Sequence, residues 1–386
     1  VGESGSGKSV TALSILRLLP KAHIEAGSIV WRGGDAPVDL ATLPLHRMGP
    51  YRGGEIAVDF QDPMSSLNPV IRCGAQIEEA VRTHREVSRA AARERAHRLL
   101  DEVGIRDPGR TARGYPHQLS GGMRQRVMIA MALACDPKLL LADEPTTALD
   151  VTTQRQVLDL LARLREERGL AILFISHDLG VVAEIADRVA ILEPGTSGGC
   201  IVEAGPAREV LEDPAHPYTV GLVACRPRID RRVDRLPTME TARHPVPAAP
   251  RKKRGTPAGP PALAVSNVRT WFDGGSVKAV DGVDLSIARG TTLGLVGESG
   301  CGKSTLGRTI LGLEAPEPGS SIRFGGREVA ELGHRERTLV ITEVRVRRLQ
   351  MQRQRIVDAR LDVALSEELL ELVALLDADH VQVEHV

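Results

Sequence analysis

Apolar residues fall in two rhythms along this chain. Thr152 to Arg168 repeats them at helical spacing, with Val157, Leu160, Leu161 and Leu164 on one side. Gln76 to Val103 is also helical in period and highly charged, and Ile77, Val81, Leu99, Leu100 and Val103 mark the stripe that would pack. Val10 to Leu19 reads as a helix that follows a glycine-rich turn. Between these lie short apolar runs that predict buried strands: Lys138 to Ala142, Ala171 to Ile175 and Val189 to Leu192. Ala26 to Tyr51 carries turn residues and short β-like pieces. Further on, Leu263 to Phe272 alternates as a strand does, Val277 to Ile287 predicts two more, and Gly290 to Val296 another. Glu193 to Glu203 is rich in glycine and predicts a long loop.

The ends of these elements carry the chemistry. The run Lys138 to Ala142 ends in two adjacent acids, Asp143 and Glu144. A buried strand that delivers carboxylates at its C-terminal edge is where a phosphate-bound metal would sit. Leu119-Ser120-Gly121-Gly122 opens a helix that stops near Asp136-Pro137. There Ser120 and the N–H groups of Gly121 and Gly122 either face an anion or form an ordinary N-cap. Gly2 to Ser9 reads GESGSGKS and fits GxxxxGK[ST]. Its glycines let backbone N–H groups curl round phosphate oxygens, Lys8 places a charge on the β- and γ-phosphates, and Ser9 offers a hydroxyl to magnesium. The strand that should precede this loop is missing. Gly297 to Ser304 repeats the motif as GESGCGKS, with Thr305 after it and its strand in place.

These motifs resemble those of the ATP-binding-cassette (ABC) ATPases. Leu119 to Gly122 matches the signature, Lys138 to Glu144 the Walker B motif, and Ala148-Leu149-Asp150 the D-loop. Val58-Asp59-Phe60-Gln61-Asp62-Pro63 is similar to the Q-loop of the peptide-uptake branch, and Ser176-His177-Asp178 falls at the H-loop. One departure is Met123, where many relatives carry Gln. Asp213 to Leu222 contains His216-Pro217-Tyr218-Thr219, which resembles the C-terminal extension of oligopeptide and dipeptide uptake ATPases. Only Cys225 stands where some relatives carry a cysteine cluster, so no iron–sulfur centre is expected.

The resemblance implies an α/β P-loop NTPase cassette, a mixed sheet core with a helical subdomain, followed by a partial second cassette. It implies ATP and Mg2+ as cofactors. Nucleotide contacts would come from Gly2, Ser4, Gly5, Gly7, Lys8, Ser9 and Val10, and from Ser120, Gly121, Gly122 and Asp150 of a cassette opposed head to tail. The second loop would contribute Gly297, Gly300, Gly302, Lys303, Ser304 and Thr305. Magnesium would be held by Ser9, Gln61 and Asp143, or by Ser304 in the second copy. Glu144 would polarise the hydrolytic water, with His177 and Gln61 beside it. Trp271 or Phe272 is placed either to stack on adenine or to pack the core. Implied partners are membrane permease subunits, an extracytoplasmic solute-binding protein and a second cassette, at the cytoplasmic face of the cell membrane. A soluble ABC switch without a membrane partner and a non-functional remnant are the alternatives.

Composition narrows the picture. The 386 residues include 50 Lys and Arg against 50 Asp and Glu, so no global field draws nucleic acid. Aromatics are 2%, too few for stacking platforms on single strands. Five cysteines lie scattered without a CxxC, which argues for a reducing compartment and against a disulfide framework or zinc site. No apolar run approaches the ~20 residues that cross a bilayer, and no signal peptide is present. Val1 falls inside a motif, so the chain reads as a fragment. The expected organisation is a first cassette over 1–212, an extension over 213–227, a Pro/Arg-rich linker over 228–262, the start of a second cassette over 263–335, and a divergent, partly helical tail over 336–386. That second cassette lacks a signature and a Walker B pair and is expected to be inactive as it stands.

Overall fold

The computed structural model describes residues 1–19, 22–147, 149–195, 198–226, 237–239, 259–298 and 300–329. The chain divides into two compact units, Val1–Lys253 and Arg254–Val386. Most of the linker at 228–262 and the whole tail at 336–386, which is expected to be partly helical, lie outside the described residues.

In the first unit, three parallel strands carry the architecture. Leu139–Asp143 lies between Ile56–Asp59 and Ala171–Ile175, with Asp59 opposite Ala142 and Asp143 opposite Ile175. The parallel register brings all three C-terminal ends to one edge. Gln61, the Asp143–Glu144 pair and His177 follow those ends, which gathers them there. The acid strand is buried along almost its whole length, as its run of leucines requires.

The helices pack this sheet with the faces the periodicity marks. Helix Val151–Arg168 buries Val157, Leu160, Leu161 and Leu164. The stretch Gln76 to Val103 is not one helix. It divides into Cys73–His84 and Arg89–Glu102, because the Ser88 hydroxyl accepts from the Ala91 N–H and caps a new start. Ile77, Val81, Leu99, Leu100 and Val103 nonetheless share one apolar cluster with Met128, Ile129 and Leu161. The signature helix Gly121–Ala132 tightens into a short turn over Leu133–Cys135 and ends at Asp136, which takes a left-handed conformation (φ 54°). Three guanidinium groups reward that geometry: Arg85 at 2.6 Å, Arg168 at 2.7 Å, and Arg95 in close contact. Arg168 also forks onto both oxygens of Glu102 at 2.5 Å. It thereby ties helix Val151–Arg168 to helix Arg89–Glu102.

Strand Arg188–Glu193 pairs with Cys200–Pro206 around a bulge at Ile191/Leu192. The long loop expected over Glu193 to Glu203 is therefore shorter, since its last four residues are strand. On the other side, Leu192 N–H donates to Val1 O at 2.7 Å, and the Val1 ammonium donates to Ala190 O at 2.8 Å. Ala171–Ile175 is the outer strand of its sheet. Between it and Arg188–Glu193 runs an apolar cavity of about 410 Å³, lined by Val1, Phe174, Val182 and Val189.

In the second unit, Leu263–Phe272 and Val277–Ile287 form a long antiparallel pair, joined on the other side by Ser321–Phe324 and then Arg327–Glu328. Val277–Ile287 is one strand rather than two. Its β-bulges let the backbone bend without breaking the ladder. Helix Lys303–Ile310 places Leu306 in a core with Val265, Val268 and Val280. Residues 291–298 do not form the expected strand. No ladder partner exists for them among the described residues, and Leu293, Leu295 and Val296 stand exposed, the last at 92%. An apolar strand needs neighbours on both sides, and none is present among the described residues.

Candidate nucleotide site

The first phosphate loop is shaped by two left-handed glycines. Gly5 has φ 84° and Gly7 φ 88°, and Gly7 is the N-cap of helix Lys8–Ile15. That helix begins two residues before the expected Val10 and ends before Leu19. Lys8 is buried, and its Nζ donates to Gly2 O at 2.8 Å and Glu3 O at 2.7 Å. The ammonium thus folds back over the loop that its own backbone forms. Gly2 has no room for a side chain, because a Cβ would lie 2.1 Å from Leu192 O. Val10 is 55% exposed on the helix behind the loop.

The two acids reach this loop. Ser9 and Lys8 both stand near enough to Asp143 to act on its carboxyl, Ser9 through its hydroxyl and Lys8 through its charge. Burial pushes Asp143 above the usual carboxylate range, opposed by Ser9 and Lys8 and reinforced by Glu144. Asp143 Oδ1 is buried without a hydrogen-bond partner among the described residues. An orphaned carboxylate oxygen beside a serine hydroxyl is a fitting pair of ligands for a hard cation. No group of three or more His, Cys, Asp or Glu among the described residues forms a closed metal cluster. The donor set suits a magnesium ion that takes its remaining ligands from phosphate and water.

Glu144 is the point of convergence. Gln61 Nε2 donates to its Oε2 at 3.1 Å, Thr147 Oγ1 donates to the same oxygen at 2.9 Å, and His177 Nδ1 lies 3.1 Å from Oε1. Burial alone would raise this carboxyl. The hydrogen bonds from His177, Thr147 and Gln61, with the charge of His177, outweigh it and hold Glu144 below its usual range. Glu144 also sits at φ 51°, a conformation that a non-glycine residue occupies at some strain. Its N–H donates to Ile175 O at 3.0 Å, which fixes that turn to the neighbouring strand. Thr147 was not picked out from the sequence. Its only signal was a hydroxyl three residues after the acid, within the same turn.

Other expected contacts are placed as follows. The Ser120 hydroxyl accepts the Met123 N–H at 3.3 Å and caps its own helix. Asp150 caps helix Val151–Arg168, with Oδ1 on Thr153 N and Oδ2 on Thr153 Oγ1. Ser120, Gly121, Gly122 and Asp150 therefore form two helix N-termini rather than part of the Glu144 cluster. Ala148 lies outside the described residues. Tyr115 stacks on His117 with ring centres 5.7 Å apart. In the second unit, Gly300 (φ 84°) and Gly302 (φ 89°) repeat the first loop, and Lys303 Nζ donates to Gly297 O at 2.7 Å and Glu298 O at 2.5 Å. Ser304 is exposed and no acid pair follows among the described residues. Lys278 Nζ lies 4.7 Å from the Trp271 ring centre and covers one face of it, and Phe272 is partly exposed.

The ABC transporter family model matches residues 1–147 and 280–386. The chain belongs to the ABC transporter family. Its second matched stretch continues past Arg335, where the motifs of the second cassette could no longer be followed. The model of the oligopeptide/dipeptide transporter C-terminal region matches residues 202–255. The glutathione import ATP-binding protein GsiA of Pectobacterium atrosepticum is 46% identical over 363 residues, covering 86% of this chain and 55% of that protein. The peptidoglycan transport ATP-binding protein YejF of Agrobacterium fabrum is 44% identical over 340 residues, 85% of this chain and 57% of its own length. A putative peptide import ATP-binding protein of Brucella melitensis is 56% identical over 232 residues, covering 59% of this chain and 68% of that protein. The chain thus spans little more than half the length of the first two relatives. A dimeric ATP-binding cassette in a post-hydrolysis state with ADP and Pi aligns with a TM-score of 0.43 at 28% identity, over 54% of this chain and 83% of that one.

Proposed function

We propose that this ABC family member is the ATP-binding and hydrolysing subunit of an importer of small peptides. The observation that carries the reading is one carboxylate that accepts from Gln61 and Thr147 and lies 3.1 Å from His177, beside a neighbouring acid on which the Lys8 and Ser9 of a phosphate loop act. Lys8 and the loop N–H groups would bind the phosphates, and Glu144 would accept a proton from the attacking water, oriented with Gln61 and His177. Magnesium, held by Ser9 and Asp143, would neutralise charge on the transferring phosphoryl group. Ser120, Gly121, Gly122 and Asp150 would act on the nucleotide of an opposed cassette. The extension at Asp213 to Leu222, together with the matched family region, supports peptides as cargo. The working assembly would then include membrane permease subunits, a solute-binding protein and a second cassette at the membrane's cytoplasmic face. No helix among the described residues is long and apolar enough to cross a membrane.

The test is Glu144→Gln in the full chain. The amide keeps the size of the side chain and removes the proton acceptor. ATP binding should persist within about threefold, while magnesium-dependent turnover falls by roughly 10²- to 10⁴-fold. Turnover equal to that of the parent chain would refute the role of Glu144. A parent chain that binds no ATP would refute the reading as a whole.

A further inference from the structure

The HPYT segment, which the nucleotide chemistry leaves unused, reaches the phosphate loop. Tyr218 is 1% exposed, and its ring packs with Leu179, Val182, Val189 and Val210. A buried phenol needs a partner for its hydroxyl. Here the partner is Glu3, the second residue of the loop: the Glu3 N–H donates to Tyr218 Oη at 3.2 Å, and Oη donates to Glu3 Oε2 at 3.3 Å. The Glu3 carbonyl in turn accepts Lys8 Nζ at 2.7 Å. One hydrogen-bonded chain therefore runs from the extension helix Pro217–Ala224, through Glu3, to the lysine.

The extension is itself held. His216 Nδ1 accepts the Tyr218 N–H at 3.2 Å and caps the helix, and Glu203 accepts the Ala215 and His216 N–H groups at 2.9 and 3.0 Å. Glu203 belongs to strand Cys200–Pro206. Gly199, just before that strand, lies so close to the loop that a Cβ there would stand 1.8 Å from Ser6 O. The hairpin and the extension thus touch the loop at Ser6 and at Glu3. The second phosphate loop supplies an internal comparison. Lys303 holds its two carbonyls in the same way, with no tyrosine on Glu298 among the described residues. The lysine's resting position therefore does not require the tyrosine, and what the tyrosine adds is the fixing of Glu3.

We propose that Tyr218 is a positioning residue for the phosphate loop, and that through it the C-terminal extension sets the affinity of the first cassette for ATP. The proposal rests on the reading that this loop binds ATP. Tyr218→Phe keeps the buried ring and removes only the hydroxyl. In the full chain, equilibrium binding of ATP and magnesium-dependent turnover are measured for parent and variant. The expected result is a Kd and a KM raised roughly three- to tenfold, with kcat within about twofold. In a Glu3→Gln background the Tyr218→Phe effect should shrink by at least half, because the two groups act as one unit. A lowered melting temperature with unchanged Kd and KM would mean that Tyr218 only packs, and would overturn the proposal; so would fully additive effects. If Tyr218→Phe does not fold, Glu3→Gln alone carries the test: about threefold weaker binding is expected, and an unchanged Kd overturns it. Failure of the parent chain to bind ATP overturns this proposal and the functional reading together, whereas normal parental binding with an indifferent Tyr218→Phe overturns this one alone.

Discussion

Asp59 carries a titration that the fold must bear. It ends the strand Ile56–Asp59, is 0% exposed, and accepts Gln125 Nε2 from the signature helix at 2.6 Å. Its Oδ1 has no partner among the described residues. Burial pushes its pKa from 3.8 up to about 8, with the Gln125 hydrogen bond opposing and the charge of Asp143 adding to the rise. An acid with a folded pKa above its unfolded value binds its proton more readily in the fold. Stability is therefore fully present below about pH 4 and is lost as pH rises towards 8. Each pKa unit is worth about 1.36 kcal/mol, so between pH 5 and pH 7.5 this group alone removes on the order of 3 kcal/mol. Asp59→Asn has nothing to titrate and keeps an oxygen for Gln125. It leaves an amide N–H₂ unpaired, at about 1–3 kcal/mol. Near pH 7 the parent bears about 4 kcal/mol from this group, so the variant should be the more stable by about 1–3 kcal/mol. The assay is urea unfolding without nucleotide or metal, read by Trp31, which packs in the cluster with Leu40, Ile56 and Leu141. Trp271, the other tryptophan, is replaced by Phe in both proteins so that the signal reports this unit. Titrating groups not coupled to Asp59 are common to both chains and cancel in the difference; Asp143, whose charge acts on Asp59, does not cancel fully. Parallel pH profiles for Asp59→Asn and its parent would refute the assignment.

Further outcomes follow from the same contacts. Gly2→Ala places a Cβ 2.1 Å from Leu192 O and 2.7 Å from Ser6 Oγ, and a backbone carbonyl cannot swing aside. ATP binding should fall more than tenfold by titration, and near-parental affinity would contradict the packing described. Arg168→Met breaks the fork on Glu102 and the contact with Asp136, and should lower stability by about 2–4 kcal/mol in urea unfolding.

What the sequence revealed and what it hid divide along physical lines. The stripe Val157, Leu160, Leu161, Leu164 was legible because periodicity reports a buried face directly; Ala171–Ile175 was legible as a strand but not in its burial, since in this outer strand only Ile175 is buried. The gathering of Gln61, Glu144 and His177 was legible only through motif order, since parallel register and not sequence distance brings them together. Thr147 and Tyr218 were hidden in their roles for a related reason. A hydroxyl in a turn and a phenol on a short helix have no periodic signature, and their partners, Glu144 and Glu3, are set by the tertiary fold. The break at Ser88 was a local signal, a cap residue, overridden in the reading by a continuous charged pattern.

The two phosphate loops show what a motif does and does not determine. GESGSGKS and GESGCGKS adopt the same left-handed glycines and the same lysine contacts, although one follows a buried terminus and the other an exposed, unpaired segment. The loop conformation is therefore written locally, in glycine φ and in the start of the helix. The chemistry is not local. Among the described residues, an acid strand and a carboxylate gathered with Gln61, Thr147 and His177 stand beside the first loop, where parallel strand ends converge on it. Transplanting the loop alone should thus confer a phosphate cradle without turnover. On the proposed reading, the parallel strand Leu139–Asp143, rather than the lysine, is what turnover would require.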